Sequence, residues 1–85
     1  MLMSVGTTLS QARIAAGMTL EELANASKLR ASILLAMEGG DFSHCGGLVY
    51  ARGQLRALAP ILRLDPDELV AEFTDEVAQG LHGRG

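Results

Sequence analysis

Between residues 19 and 40 the sequence reads TLEELANASKLRASILLAMEGG, two short apolar-periodic segments separated by a four-residue break. Thr19 and Glu22 stand three apart at its start, the spacing at which a hydroxyl and a carboxylate each satisfy a backbone N–H in the first turn of a helix. Ser27 to Arg30 interrupt the pattern, a second helix runs to about Glu38, and Gly39 with Gly40 ends it. Two helices this short cannot bury their apolar stripes alone. Their neighbours have to supply the rest of the core.

Those neighbours are helical too. Apolar residues recur at intervals of three and four throughout, and no stretch alternates β-branched with polar residues, so the fold class is all-α, a bundle of five helices. Helix 1 covers about residues 5 to 16, with Leu9, Ala12 and Ala16 as its stripe and Gly17 where it stops. Asp65, Pro66 and Glu68 open helix 5 with N-cap, first-turn proline and acid in their preferred places. Helix 4 lies between, after the glycines at 46 and 47. Pro60 falls inside it, and an interior proline removes a backbone bond and clashes with the preceding turn, at about 3 kcal/mol; a kink or break is expected near Leu58 and Ala59. Gly53, inside the same helix, is expected to mark the close approach of another backbone, within the domain or in a partner. The expected buried set is Leu23, Leu29, Leu34, Met37, Phe42, Val49, Leu55, Leu62, Leu69 and Phe73, and Tyr50 is expected at the core edge.

The 85 residues allow one domain, placed at 4–76 with a tail over 77–85 that ends in GLHGRG. Charge is unevenly spread. Residues 1 to 63 hold six basic and four acidic side chains and the remainder one and six, for a net charge of −3. A mildly basic body is no broad nucleic-acid footprint, which needs many clustered Lys and Arg. One cysteine cannot close an internal disulfide, which fits a reducing compartment. No run approaches the roughly 18 apolar residues of a membrane span, and the N-terminus lacks a signal-peptide pattern. The expected location is the cytoplasm.

Catalytic chemistry finds little support. His44 and Cys45 are neighbours on a loop, zinc needs about four ligands at suitable spacing, and only His82 remains. A nucleophilic cysteine needs a base and an orienting group that face it. The glycines lack the preceding strand and terminal Gly-Lys-Ser/Thr of a phosphate loop. The expectation is a chain with no catalytic residue, metal or cofactor, and not an enzyme.

Two short helices joined in this way, with a helix before and helices after, form the layout of a helix-turn-helix, and TLEELANASKLRASILLAMEGG resembles the phage-repressor (XRE) type of that motif. The longer pattern MEGGDF, then VYARGQLRALA, then LRLDPDEL is similar to the cytoplasmic helix-turn-helix domain of RodZ-like proteins, over roughly residues 4 to 73. Cys45, Gly46 and Gly47 before Val-Tyr look like its actinobacterial branch. In that family the domain precedes a single membrane span and ties the membrane to MreB, the bacterial actin-like filament, in cell-shape maintenance. The resemblance therefore implies a protein-interaction adaptor with an MreB-like partner, and membrane attachment where such a span follows. In better-known members an aromatic just after Arg-Gly and another four residues later face the filament; those positions here are Gln54 and Leu58.

The residues themselves leave two function classes. A protein-binding module would use helix 4, where Arg52 and Arg56 stand four apart, as do Gln54 and Leu58. A DNA-binding regulator would place the second helix of the motif in the major groove, with Lys28, Arg30 and Ser32 at its start and Arg52 and Arg56 available to phosphates. The outward positions of that helix are Ala31, Ser32, Leu35 and Ala36, of which Ser32 alone can hydrogen-bond a base edge. The adaptor is the first expectation, DNA binding the alternative.

Overall fold

The computed structural model describes residues 4–79. Five helices follow one another: α1 (Val5–Ala15), α2 (Leu20–Ser27), α3 (Ala31–Glu38), α4 (Leu48–Ile61) and α5 (Pro66–Ala78), with a 3-10 turn at Ser43–Cys45 between α3 and α4. No strand occurs among the described residues. The fold is all-α and α2 with α3 is a helix-turn-helix. α5 runs through Val77, which packs on the core, to Ala78; the expected tail sequence GLHGRG, with His82, lies outside the described residues.

Three helix starts follow from residue chemistry. Ser4 caps α1 by accepting from the Thr7 N–H at 3.1 Å. Thr19 accepts from the Glu22 N–H at 3.0 Å while the Glu22 carboxylate accepts from the Thr19 N–H at 2.8 Å, a complete capping box. Asp65 accepts from the N–H groups of Asp67 and Glu68, with Pro66 at the first position, where no intrahelical N–H bond is lost. α3 is different, since its N-cap residue Arg30 makes no side-chain cap bond. α2 and α4 are followed by Lys28 (φ 65°) and Arg63 (φ 60°) in the left-handed region that favours glycine.

The core gathers Val5, Leu9, Leu23, Leu34, Met37, Leu55, Leu58 and Phe73. The Phe42 and Phe73 rings meet with centroids 4.9 Å apart and planes inclined by 58°, the tilted geometry aromatic pairs favour. Leu29 is half-buried against this cluster.

Helix 4 departs from expectation in three ways, and at Gly53 the first of two expected neighbours is missing. Val49 is 75% exposed rather than buried. At about 100° per residue, the six positions between Val49 and Leu55 leave them about 120° apart around the helix; the inward stripe is Ala51, Leu55, Leu58, Ala59 and Leu62. Tyr50 is 67% exposed, its ring beside Gly46 instead of against the core. The helix does not break at Leu58 and Ala59 but continues to Ile61. Pro60 sits in the last turn, so the one carbonyl that loses its partner belongs to exposed Arg56, and the Leu62 N–H still reaches the Leu58 carbonyl at 3.1 Å. Gly53 meets nothing within the domain, since a Cβ there would find no atom within 4 Å.

The close backbone approach belongs to Gly6. A Cβ on this α1 residue would stand 2.6 Å from the Glu38 carbonyl oxygen and 2.7 Å from that of Met37, so α1 and the end of α3 touch main chain to main chain. Beside that contact Arg13 of α1 donates through Nε and Nη2 to Glu38 and through Nη1 to the Met18 carbonyl at 3.0 Å. At the start of α1, buried Glu76 accepts from the Val5 N–H, and the Thr8 hydroxyl donates to Glu72 at 3.1 Å. A carboxylate suits the positive end of a helix, which favours Glu76 at the Val5 N–H, while Glu72 holds α1 through the Thr8 hydroxyl. α3, the second helix of the motif, is thereby fixed by backbone contact and a two-nitrogen ion pair.

Candidate binding surface

The turn between α2 and α3 brings three of the sequence-derived residues together. Lys28 closes α2 in its left-handed conformation, Arg30 precedes α3 and Ser32 is the second residue of α3; all three are exposed. Lys28 and Arg30 share a shallow hollow with Asn25, Leu29 and Ala31. Arg30 and Ser32 line a second hollow with Ile33, Ala36 and His44. Asn25 and His44 were not foreseen. Asn25 stands three before Lys28 on α2, a spacing that puts the two on one face. His44 carries no such signal, because it arrives from the 3-10 turn: Asp41 accepts from the Ser43 N–H at 2.9 Å and from its hydroxyl at 2.6 Å, and its other oxygen lies 3.5 Å from His44 Nε2.

The α4 residues are placed otherwise. Arg56 Nη1 donates to Asp67 of α5 at 2.8 Å, and Arg52 Nε reaches the Thr74 hydroxyl at 3.5 Å. Neither lines the two hollows beside α3. Gln54 is half-buried, with its Oε1 enclosed and lacking a hydrogen-bond partner. Leu58 is fully buried, 0% exposed, and so is unavailable as a surface residue. The four-residue spacing of Gln54 and Leu58 suggested a common ridge, but Leu58 stands three residues from Leu55 and turns inward with it.

The outward face of α3 presents exposed Ser32, half-exposed Ala31 and Ala36, and Leu35 at 63% exposure. Large apolar side chains are also exposed at Leu48, Val49 and Tyr50 in the first turn of α4 and at Ile14 of α1. Reading base edges takes directed hydrogen bonds, and along this face only Ser32 offers one. Charge comes from the flanks, at Lys28 and Arg30.

Cys45 is buried, and burial first, then the negative charge of Asp41, pushes its thiol above the usual range, which disfavours the thiolate. Among the described residues no group of three or more His, Cys, Asp or Glu side chains could hold a metal. Nor is any helix among them long and apolar enough to cross a membrane.

Residues 8–69 match the model of a family described as a helix-turn-helix domain. Among solved structures, YmfM of Staphylococcus aureus, named as a candidate DNA-binding membrane protein, superposes with a TM-score of 0.78 at 28% identity, over 87% of this chain and 90% of that one. No curated protein sequence matches the chain.

Proposed function

The chain belongs to the helix-turn-helix domain family found in RodZ-like proteins, and on that premise we propose that it is a non-enzymatic binding module whose ligand is another protein, an adaptor of the cell-envelope and cell-shape machinery. The observation that carries this reading is the composition of the α3 outer face, where a 63% exposed Leu35 and two alanines stand where a sequence reader needs hydrogen-bonding side chains. Solvent-exposed apolar surface of this kind gains most when a partner covers it.

An actin-like filament is not the partner we put forward. The surface implied by the resemblance needs aromatic side chains at positions 54 and 58, and this chain has a half-buried glutamine and a core leucine there.

DNA binding is the second reading, favoured by one observation: Lys28 and Arg30 meet at the start of α3, where no side chain caps the helix. YmfM, similar over most of its length, is named as a candidate DNA-binding protein. Few cations are clustered, so binding would be weak, salt-sensitive and nearly indifferent to sequence.

Selection of duplexes from a random library decides between the two. The adaptor reading expects no consensus, with residual anisotropy signal lost as salt rises to physiological strength. A single enriched site whose affinity falls on Ser32→Ala or Arg30→Ala would replace it with the regulator.

A further inference from the structure

Within the described residues the two longest helices divide charge completely. α4 carries Arg52 and Arg56 and no carboxylate; α5 carries Asp67, Glu68, Glu72, Asp75 and Glu76 and no base. They lie side by side and antiparallel, since the earlier arginine meets the later residue: Arg52 with Thr74, Arg56 with Asp67. Both contacts are exposed and so weak.

Around this crossing the hairpin presents an unpartnered face. On α4, Val49, Gly53 and Ala57 follow one another at intervals of four; on α5, Ala71, Thr74 and Ala78 do so at three and four, and all six are exposed. Val49 leaves three-quarters of its surface in water. Gly53 has open space around it, yet an exposed helix interior is where glycine is least favoured.

We propose that two copies of the chain associate through this α4–α5 face about a two-fold axis parallel to the helices. That operation lays α4 of one copy over α5 of the other, antiparallel as within the copy, and repeats each contact twice. The basic edge formed by Arg52 and Arg56 then runs beside the partner copy's row of carboxylates. The charge division selects this arrangement, because α4 on α4 would stack arginine on arginine. Gly53 and Ala57 let the partner helix approach closely, and Val49 is covered. Six exposed residues and their charged flanks fall short of the roughly 20 to 30 residues a side of a standard stable interface, so the association is weak and concentration-dependent.

The experiment is sedimentation equilibrium of the full chain from low micromolar to about millimolar concentration, with two charge-reversed forms. One carries Arg52→Glu and Arg56→Glu, the other Asp67→Lys and Asp75→Lys; circular dichroism melts show that each folds. The parent should rise in mass from 9.0 kDa towards twice that value. Each reversed form alone should stay monomeric, and an equimolar mixture should regain association, because acidic α4 then faces basic α5 and the converse. A parent that remains at 9.0 kDa throughout, or an α5-reversed form that associates as the parent does, would overturn the proposal. The reading of α3 does not depend on this result.

Discussion

Arg13 holds Glu38 with two nitrogens at once, Nε to Oε2 at 2.7 Å and Nη2 to Oε1 at 3.1 Å, and so joins α1 to the last residue of α3. The pair is largely shielded, its side chains 18% and 9% exposed. Removing one member of a shielded pair strands the other, which costs more than the pair itself contributes.

Arg13→Ala should therefore destabilise the domain by about 2 to 4 kcal/mol in a denaturant titration, while Arg13→Met combined with Glu38→Leu should cost less than either single change to alanine. Additive losses in the double variant would show that the two residues act independently.

Two glycines should respond in opposite directions to alanine. Gly6→Ala drives a methyl group into two main-chain carbonyls that cannot turn aside, and should cost at least about 2 kcal/mol. Gly53→Ala enters open space in an exposed helix and should add about 0.5 to 1 kcal/mol to the stability of the dilute chain. Thermal melts of both variants check this, and a destabilising Gly53→Ala would mean that the outer face of α4 is not open.

Burial pushes the Glu72 carboxyl above its ordinary value of 4.5; the Thr8 hydroxyl opposes this and the charge of Glu76 adds to it. The folded chain thus holds that proton more tightly than the unfolded chain. The stabilisation is complete below 4.5 and disappears as pH rises through the raised value. Glu72→Gln keeps an acceptor for Thr8 but cannot ionise, so it should be more stable than the parent at pH 7, with the gap closing by about pH 4. A glutamine variant that is less stable at pH 7 would mean that the charge helps to hold α1.

The parts of the fold legible in the sequence were those fixed by residues close together along the chain. Thr19 with Glu22, and Asp65 with Pro66, announce helix starts because capping needs nothing beyond one turn of backbone. The α2–α3 turn follows from the same local logic, and with it the grouping of Lys28, Arg30 and Ser32. Val49 does not share the inward stripe, because six residues leave it about 120° around the helix from Leu55, and its apolar character alone does not show that phase. Gly6, His44 and the Arg13–Glu38 pair depend on which elements end up adjacent, and no local spacing encodes that. Gly53 is a true local anomaly, and of the two neighbours it implies, one within the domain and one in a partner, the first is absent.

The Glu76–Val5 contact has a mechanical consequence. It brings the start of α1 and the last turn of α5 to one place, and Gly6, one residue further along, rests on the C-terminal end of α3. Lys28 and Arg30 stand at the other end of α3, about 12 Å away by the rise of an eight-residue helix. A pull applied through Ser4 or through Gln79 would therefore enter the molecule at a single anchorage, and the load would pass through packed helices before it reached the turn that presents Lys28 and Arg30.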